Sequence, residues 1–456
     1  MGHLSCFKSY DIRGRLGDEL DEPLAYLIGR GFARVLQPGM VVIGRDVRES
    51  SPGLQAALIA GLQDEGVDVI DLGLCGTEEV YFATDHFGAG GGLMVTASHN
   101  PINYNGIKMV REGARPISAQ TGLNAIRDLV ALDDFGPVRA QGALRRENPR
   151  DVYADRVVSY LDVGLLRPLR ILVNAGNGVA GRAFDAIEER LLAIGAPFDF
   201  VRMHHEADSH FPNGIPNPLL VENQPATAHA VRVSGADMGV AWDGDFDRCF
   251  FFDETGAFID GEYVVSLLAQ AFLSKEPGAK IVHDPRVIWN TVDVVSRGGG
   301  VAVACQTGHA HLKAKMRELD AVYGGEMSAH HYFRAFMYCD SGMIPWLLVA
   351  ERMGQTGRSL SDLVAEMRAR FPSSGEINFT VANPAAAVAR FEAVYLPQAT
   401  SIDRMDGVSL DMGKWRVNVR MSNTEALLRL NIETRGDLPL LHAKVAEVSA
   451  VLTHSG

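Results

Sequence analysis

MVVIGRDVRESSPGLQAALIAGLQDEGVDVIDLG, residues 40–73, reads as strand, helix, strand. VVIG and VDVIDLG are apolar runs closed by glycine, and SPGLQAALIAGLQDEG between them carries apolar residues at helical spacing. A β-α-β unit of this kind implies parallel sheet. The pattern recurs in RILVNAG (170–176), RAFDAIEERLLAIG (182–195) and PFDFVRM (197–203), and again around KIVHD (280–284) and VAVACQ (301–306). At least three α/β units in series favour repeated α/β domains over one large sheet.

The last stretch follows a different period. VSLDM (408–412), WRVNVRMS (415–422) and ALLRLNIETR (426–435) alternate apolar and polar residues as half-exposed antiparallel strands do, and LPLLHAKVAEVSAVL (438–452) follows as a helix. The fold class expected is therefore α/β, with three similar domains of mixed, largely parallel sheet and a C-terminal α+β domain. The proline-bearing DFGPVRAQGALRRENP (134–149), the turn-rich DETGAFIDG (253–261) and FPSSGE (371–376) are the natural boundaries. They give domains at 1–140, 150–252, 256–367 and 370–456.

Bulk composition narrows the function classes. The 456 residues are 47% hydrophobic and 22% charged, as in ordinary globular proteins, and no apolar run reaches membrane-spanning length. With 43 Lys plus Arg against 56 Asp plus Glu, the net charge of −13 disfavours nucleic acid and requires any anionic substrate to be held by a local basic cluster. The five cysteines are scattered without C-x-x-C spacing, and MGHLSCFKSYDIRG lacks the apolar run of a signal peptide, so a reduced, cytoplasmic setting is expected.

Four clusters can carry chemistry. In GGLMVTASHNP (91–101), Ser98 follows an apolar strand on a loop that breaks at Pro101, where α/β folds present reactive groups, and the local sequence places it exposed. A turn serine is the alternative. A hydrolase nucleophile is disfavoured, because there is no G-x-S-x-G elbow and His99, adjacent in the chain, need not point at the same atom. In WDGDFDRCFFFDE (242–254), Asp243, Asp245 and Asp247 alternate and can converge on a hard cation such as magnesium. An acidic surface turn is the plain alternative. A calcium EF-hand fails because Arg248 stands where glycine is required and Cys249 to Phe252 read as a buried strand.

In RMSNTEALLR (420–429), Arg420 and Arg429 flank a turn of Ser422, Asn423 and Thr424, a phosphate clamp or an ordinary polar hairpin tip. YGGEMSAHHYF (323–333) gathers Glu326, Ser328, His330 and His331, suited to sugar hydroxyls and to proton exchange, or to a helix N-terminus. GNGVAG (176–181), with Asp199 beyond it, matches a dinucleotide-binding fingerprint and would make an NAD-dependent oxidoreductase. It lies in mid-chain, leaves the three aspartates unexplained, and reads better as a tight strand-to-helix turn.

Taken in order, TASHNP, DGDFDR, GEMSAH and RMSNTEALLR resemble the α-D-phosphohexomutase superfamily, most closely its phosphomannomutase/phosphoglucomutase branch. The resemblance runs from YDIRG (10–14) and GRDVRESS (44–51) to Arg429. It implies four domains around a central, positively lined cleft. It also implies a phosphosugar mutase that interconverts hexose 1-phosphate and 6-phosphate, of glucose or mannose, with phosphoglucosamine as the nearest rival substrate.

By that resemblance Ser98 is the phosphoserine, and Ser98, Asp243, Asp245 and Asp247 hold magnesium. Glu326, Ser328 and His309 meet the sugar. Tyr10, Arg420, Ser422, Asn423, Thr424 and Arg429 bind phosphate. Arg13, Lys108, Arg248 and His330 serve catalysis, with Lys108 and His330 the candidates for proton transfer. Hexose 1,6-bisphosphate is the implied intermediate and activator, the partners are small hexose phosphates, and a monomer is expected. Three positions depart from the branch: Ala329 replaces a usual glycine, Arg286 a frequent lysine, and GTEE (76–79) a proline-containing turn.

Overall fold

The computed structural model describes residues 4–139, 141–421 and 427–454. The chain divides into two compact units, one running to Phe258 and including His330–Gly357, the other comprising Ile259–Ala329 and the chain from Arg358 onward.

The first unit contains the opening β-α-β motif as expected. Strand Met40–Arg45 is followed by helix Ser51–Gln63 and strand Asp68–Leu74, and the two strands are parallel neighbours. Strand Gly91–Val95 joins in parallel on the other side of Met40–Arg45. Tyr104–Arg111 then runs back antiparallel to it and pairs with Ile12–Arg15 at the edge. Strand Gly91–Val95 is buried at every position, the pattern of a strand covered on both faces. The core beneath it is apolar, built on Ile28, Phe32, Val41, Ile43, Leu58 and Leu93, all essentially inaccessible.

A second sheet in the same unit is built on strand Leu169–Asn174, helix Ala180–Ala193 and strand Phe198–Met203, with Leu169–Asn174 parallel to both Phe198–Met203 and Met238–Trp242. Met238–Trp242 turns into the antiparallel, fully buried strand Cys249–Asp253. The EF-hand alternative is thereby removed, since a Ca²⁺ loop cannot end in a core strand.

In the second unit, Lys280–His283 lies parallel to both Val301–Ala304 and Tyr323–Gly325. The C-terminal strands Ile377–Thr380, Leu427–Thr434, Trp415–Met421, Val408–Asp411 and Ser401–Asp403 form a wholly antiparallel sheet in that order. Helix Leu438–Thr453 packs on it through Leu441, Val448 and Leu452. The change of hydrophobic period in the sequence thus marks a real change from parallel to antiparallel sheet. All five cysteines are buried and unbridged.

Candidate active site

Ser98 sits three residues past strand Gly91–Val95, with its backbone in the left-handed region at φ +47°. A non-glycine residue adopts that conformation only when its surroundings impose it. Here they do. The guanidinium of Arg48, 1% exposed, donates to the carbonyls of Ser98 (2.9 Å), Asn100 (2.6 Å), Pro101 (2.9 Å) and Tyr104 (3.1 Å). Asp46 stands 3.5 Å from the Arg48 Nε and accepts from the Arg48 amide and the Ser51 hydroxyl. The GRDVRESS segment is therefore a clamp on the serine loop.

The expectation that Ser98 is exposed is corrected: it is 4% exposed. The aspartate loop lies directly over it, so close that a Cβ on Gly244 would come within 2.7 Å of the Ser98 carbonyl. The Ser98 Oγ is 2.6 Å from the Asp243 carboxylate and 3.1 Å from His99 Nδ1. His99 does address the serine oxygen, although adjacency alone gave no reason to expect it. Arg248 also contacts the same Nδ1. Burial, with Arg248 and Arg13 nearby, pushes the imidazole pKa well down and keeps it neutral.

Asp243, Asp245 and Asp247 are all buried, and each offers an oxygen within 4.8 Å of the others. Asp243 accepts from Arg248 Nε at 2.9 Å, and Asp245 from Lys108 Nζ and Thr77 Oγ1, both at 2.6 Å. Lys108 also pairs with Asp247. Burial raises the Asp243 pKa to about 6, with Asp247 and Asp245 adding to the rise and Arg248 opposing it. For Asp247 burial acts in the same direction, but Lys108 and His330 outweigh it and bring the carboxyl to about 2. Lys108, although buried, is held well above its ordinary pKa by Asp245 and Asp247.

Oδ1 of Asp245 is buried and has no hydrogen-bond partner among the described residues. A converging set of hard oxygens, one of them unused, fits an oxygen-preferring divalent ion such as magnesium.

The aspartate loop is braced from three directions. Thr77 bonds both the backbone and the side chain of Asp245. The Gly176–Gly181 turn packs against it, with the Val179 amide donating to the Gly244 carbonyl, and Gly178 lies so close that a Cβ there would come within 2.6 Å of the same carbonyl. Trp242 Nε1 donates to the Gly342 carbonyl at 2.8 Å. Segment 341–343 is in turn gripped by Glu78, which accepts from Ser341 Oγ, the Gly342 amide and Tyr153.

The other residues of this unit expected to serve catalysis lie nearby. Arg13 donates to the Ala97 carbonyl at 3.2 Å and to Asp11, and contacts Asn100. His330 Nε2 stands 3.9 Å from the Asp247 carboxylate. Tyr10 lies in the loop before strand Ile12–Arg15, in this unit rather than with Arg420 and Arg429.

The second unit holds the residues expected from the sequence to meet the sugar and the phosphate. Glu326 accepts from the Gly308 amide at 2.9 Å, which sets its carboxylate at the start of helix His309–Leu319, beside His309. Ser328 follows on the same loop. Ala329 adopts φ +70°, so an alanine holds the left-handed conformation for which glycine is usual. Arg420 and Arg429 are opposed in register on strands Trp415–Met421 and Leu427–Thr434. Ser422, Asn423 and Thr424 lie outside the described residues. A residue with no assigned role stands among the arginines: the Glu376 carboxylate is met by Arg286 at 3.0 Å, Arg420 at 3.4 Å and Arg429 at 3.5 Å.

Family models for phosphoglucomutase/phosphomannomutase match in order along the chain: α/β/α domain I at residues 5–136, domain II at 151–256, domain III at 260–371 and the C-terminal domain at 376–451. The chain belongs to the phosphoglucomutase/phosphomannomutase family. It is 57% identical over 454 residues to a phosphomannomutase of Salmonella montevideo, covering 99% of this chain and all of that one. It is 59% identical over 449 residues to a protein named phosphohexose mutases in Xanthomonas campestris pv. campestris, covering 98% and 99%. A solved structure of a phosphoglucomutase/phosphomannomutase family protein from Burkholderia thailandensis matches with a TM-score of 0.83 and 29% identity, covering 99% and 98%.

As a member of this family the chain is a phosphosugar mutase. The oxidoreductase reading of GNGVAG gives way to the packing role of that turn. Among the described residues, no helix is long and apolar enough to cross a membrane.

Proposed function

We propose that this phosphoglucomutase/phosphomannomutase family member interconverts hexose 1-phosphates and hexose 6-phosphates, of glucose, mannose or both, through phosphorylated Ser98 and a hexose 1,6-bisphosphate. The observation that carries this reading is the Ser98 hydroxyl 2.6 Å from Asp243, within a buried carboxylate trio flanked by Lys108 and Arg248.

In the forward step the bond between phosphorus and Ser98 Oγ breaks and a new one forms to the free hydroxyl of the hexose monophosphate. His330, 3.9 Å from Asp247, takes the hydroxyl proton in this reading. Arg248 and Lys108 offset charge developing on the transferred group. Paired with Asp245 and Asp247, which hold its pKa well above the ordinary value, Lys108 enters as a fixed positive charge. Arg48 keeps the oxygen of Ser98 in register for both departure and return. A magnesium ion held by Asp243, Asp245, Asp247 and an oxygen at Ser98 would supply Lewis-acid charge there.

In the second step the bisphosphate presents its other phosphate: the bond between that phosphorus and the sugar oxygen breaks, a new one forms to Ser98 Oγ, and the proton taken in the first step is returned to the sugar oxygen. The phosphate not reacting is held by Arg420 and Arg429, and Glu326, Ser328 and His309 address the sugar.

Assays with glucose, mannose and glucosamine 1-phosphates test the reading. Turnover of the first two is expected; dominant glucosamine activity overturns the sugar assignment, and no turnover of any overturns the reaction.

A further inference from the structure

The phosphate clamp already holds an anion of its own. Arg420 and Arg429 face each other across one pair of strands, Arg286 comes from more than a hundred residues earlier, and all three point at the carboxylate of Glu376. Arg286 is 3% exposed and backed by Asp284 at 2.7 Å, and Arg420 is backed by Asp406 at 3.4 Å. Three guanidiniums thus face three carboxylates, and the cluster is formally neutral. Yet the Nε of each arginine is buried and has no hydrogen-bond partner among the described residues. The three carboxylates leave those Nε donors unmet, and a phosphate dianion in place of Glu376 brings more acceptor oxygens and twice the charge.

We propose that Glu376 is a resident counter-anion that competes with the substrate phosphate for Arg286, Arg420 and Arg429. This rests on the reading of Arg420 and Arg429 as phosphate holders. With the clamp empty, the carboxylate keeps three like charges converged that would otherwise repel one another. When a phosphate arrives, Glu376 yields the guanidiniums or shares them, and when the phosphate leaves it takes them back. A mutase needs such a device. Its bisphosphate must be released by the clamp in mid-reaction to present the other end, and a bare cluster of three arginines would hold it too tightly for that.

The alternative is that Glu376 is only scaffolding, and the two readings give opposite signs. Calorimetric titration of the full chain with inorganic phosphate compares wild type, Glu376→Gln and Glu376→Asp. Competition predicts that Glu376→Gln binds phosphate roughly tenfold more tightly, the scale of removing one partly buried like charge, with lower kcat and lower KM for hexose phosphate as release slows. Glu376→Asp, whose carboxylate is drawn back by one methylene, should tighten binding by a smaller factor and serves if the glutamine variant does not fold. Both gains should vanish in variants that also carry Arg420→Ala.

Phosphate binding that is weaker or unchanged in Glu376→Gln overturns the proposal, as does a gain that survives Arg420→Ala. Loss of isomerase activity in wild type with the binding shift intact would instead defeat the mutase reading and leave this one standing.

Discussion

The two units treat charge in opposite ways. Around Ser98, three buried carboxylates are met by two permanent cations, Lys108 and Arg248, and one Asp245 oxygen is left without a partner. Around Glu376, three arginines are met by three carboxylates, and the unused atoms are donors. The first arrangement lacks positive charge and suits a cation. The second is balanced, and under the proposal above a phosphate must compete there with the carboxylate of Glu376. The two clusters thus differ in net charge: the one beside Ser98 carries an excess of carboxylates, and the one around Glu376 is neutral.

Removing charge from the cation-seeking side should have the largest effect. Asp245→Asn keeps the shape and the Thr77 contact but loses a ligand charge, so magnesium-dependent turnover should fall roughly 10²- to 10³-fold with the circular dichroism unchanged. Full activity in that variant would erase the contrast between the units. Next is the serine clamp. Arg48→Lys retains the charge, but one ammonium cannot reach four carbonyls in the fork geometry, so kcat should fall roughly 10- to 100-fold while KM stays near its wild-type value. A change confined to KM would mean that Arg48 acts on binding and not on the position of Ser98.

The pH response sharpens the comparison further. The Asp243 carboxyl is raised from its ordinary value to about 6, so without a cation it lowers the stability of the folded state as pH rises from about 4 to 6. A bound cation requires the ionised form, so its affinity should weaken by up to about tenfold per pH unit below 6. The rise in Tm on adding magnesium should therefore grow between pH 5 and 7. Glu376 is held below the usual carboxylate range because its three arginines outweigh its burial. It should stay ionised across that window, and an equal pH trend at both sites would contradict the assignment. The smallest effect is expected at the sugar loop, where Ala329→Gly relieves a left-handed alanine at the cost of chain entropy, a net change of about 0–1 kcal/mol measurable by urea unfolding.

The sequence was most legible where function is compact in the chain. Ser98 and the alternating aspartates each lie within a few residues of a buried strand, and the hydrophobic period separates the parallel sheets from the antiparallel one. The bracing of the site was not legible, because its partners are distant. Arg48 acts 50 residues away on Ser98, Thr77 acts 168 residues away on Asp245, and Glu78 grips Ser341 across 263 residues. In sequence, GTEE looked only like an irregular turn. Glu376 was hidden for the same reason, since nothing in FPSSGE shows that three arginines from elsewhere converge on it. The burial of Ser98 was misjudged because a loop seen alone looks exposed, and the covering loop begins more than a hundred residues later.

The central claim is that phosphate is stored covalently on Ser98 and recovered from the opposite end of the sugar. Mass spectrometry of the protein incubated with glucose 1,6-bisphosphate tests it most directly. The account predicts one added phosphate mapped to the peptide containing Ser98, lost in Ser98→Ala together with all isomerase activity. An unphosphorylated Ser98 in a fully active enzyme, or undiminished turnover by Ser98→Ala, would contradict it.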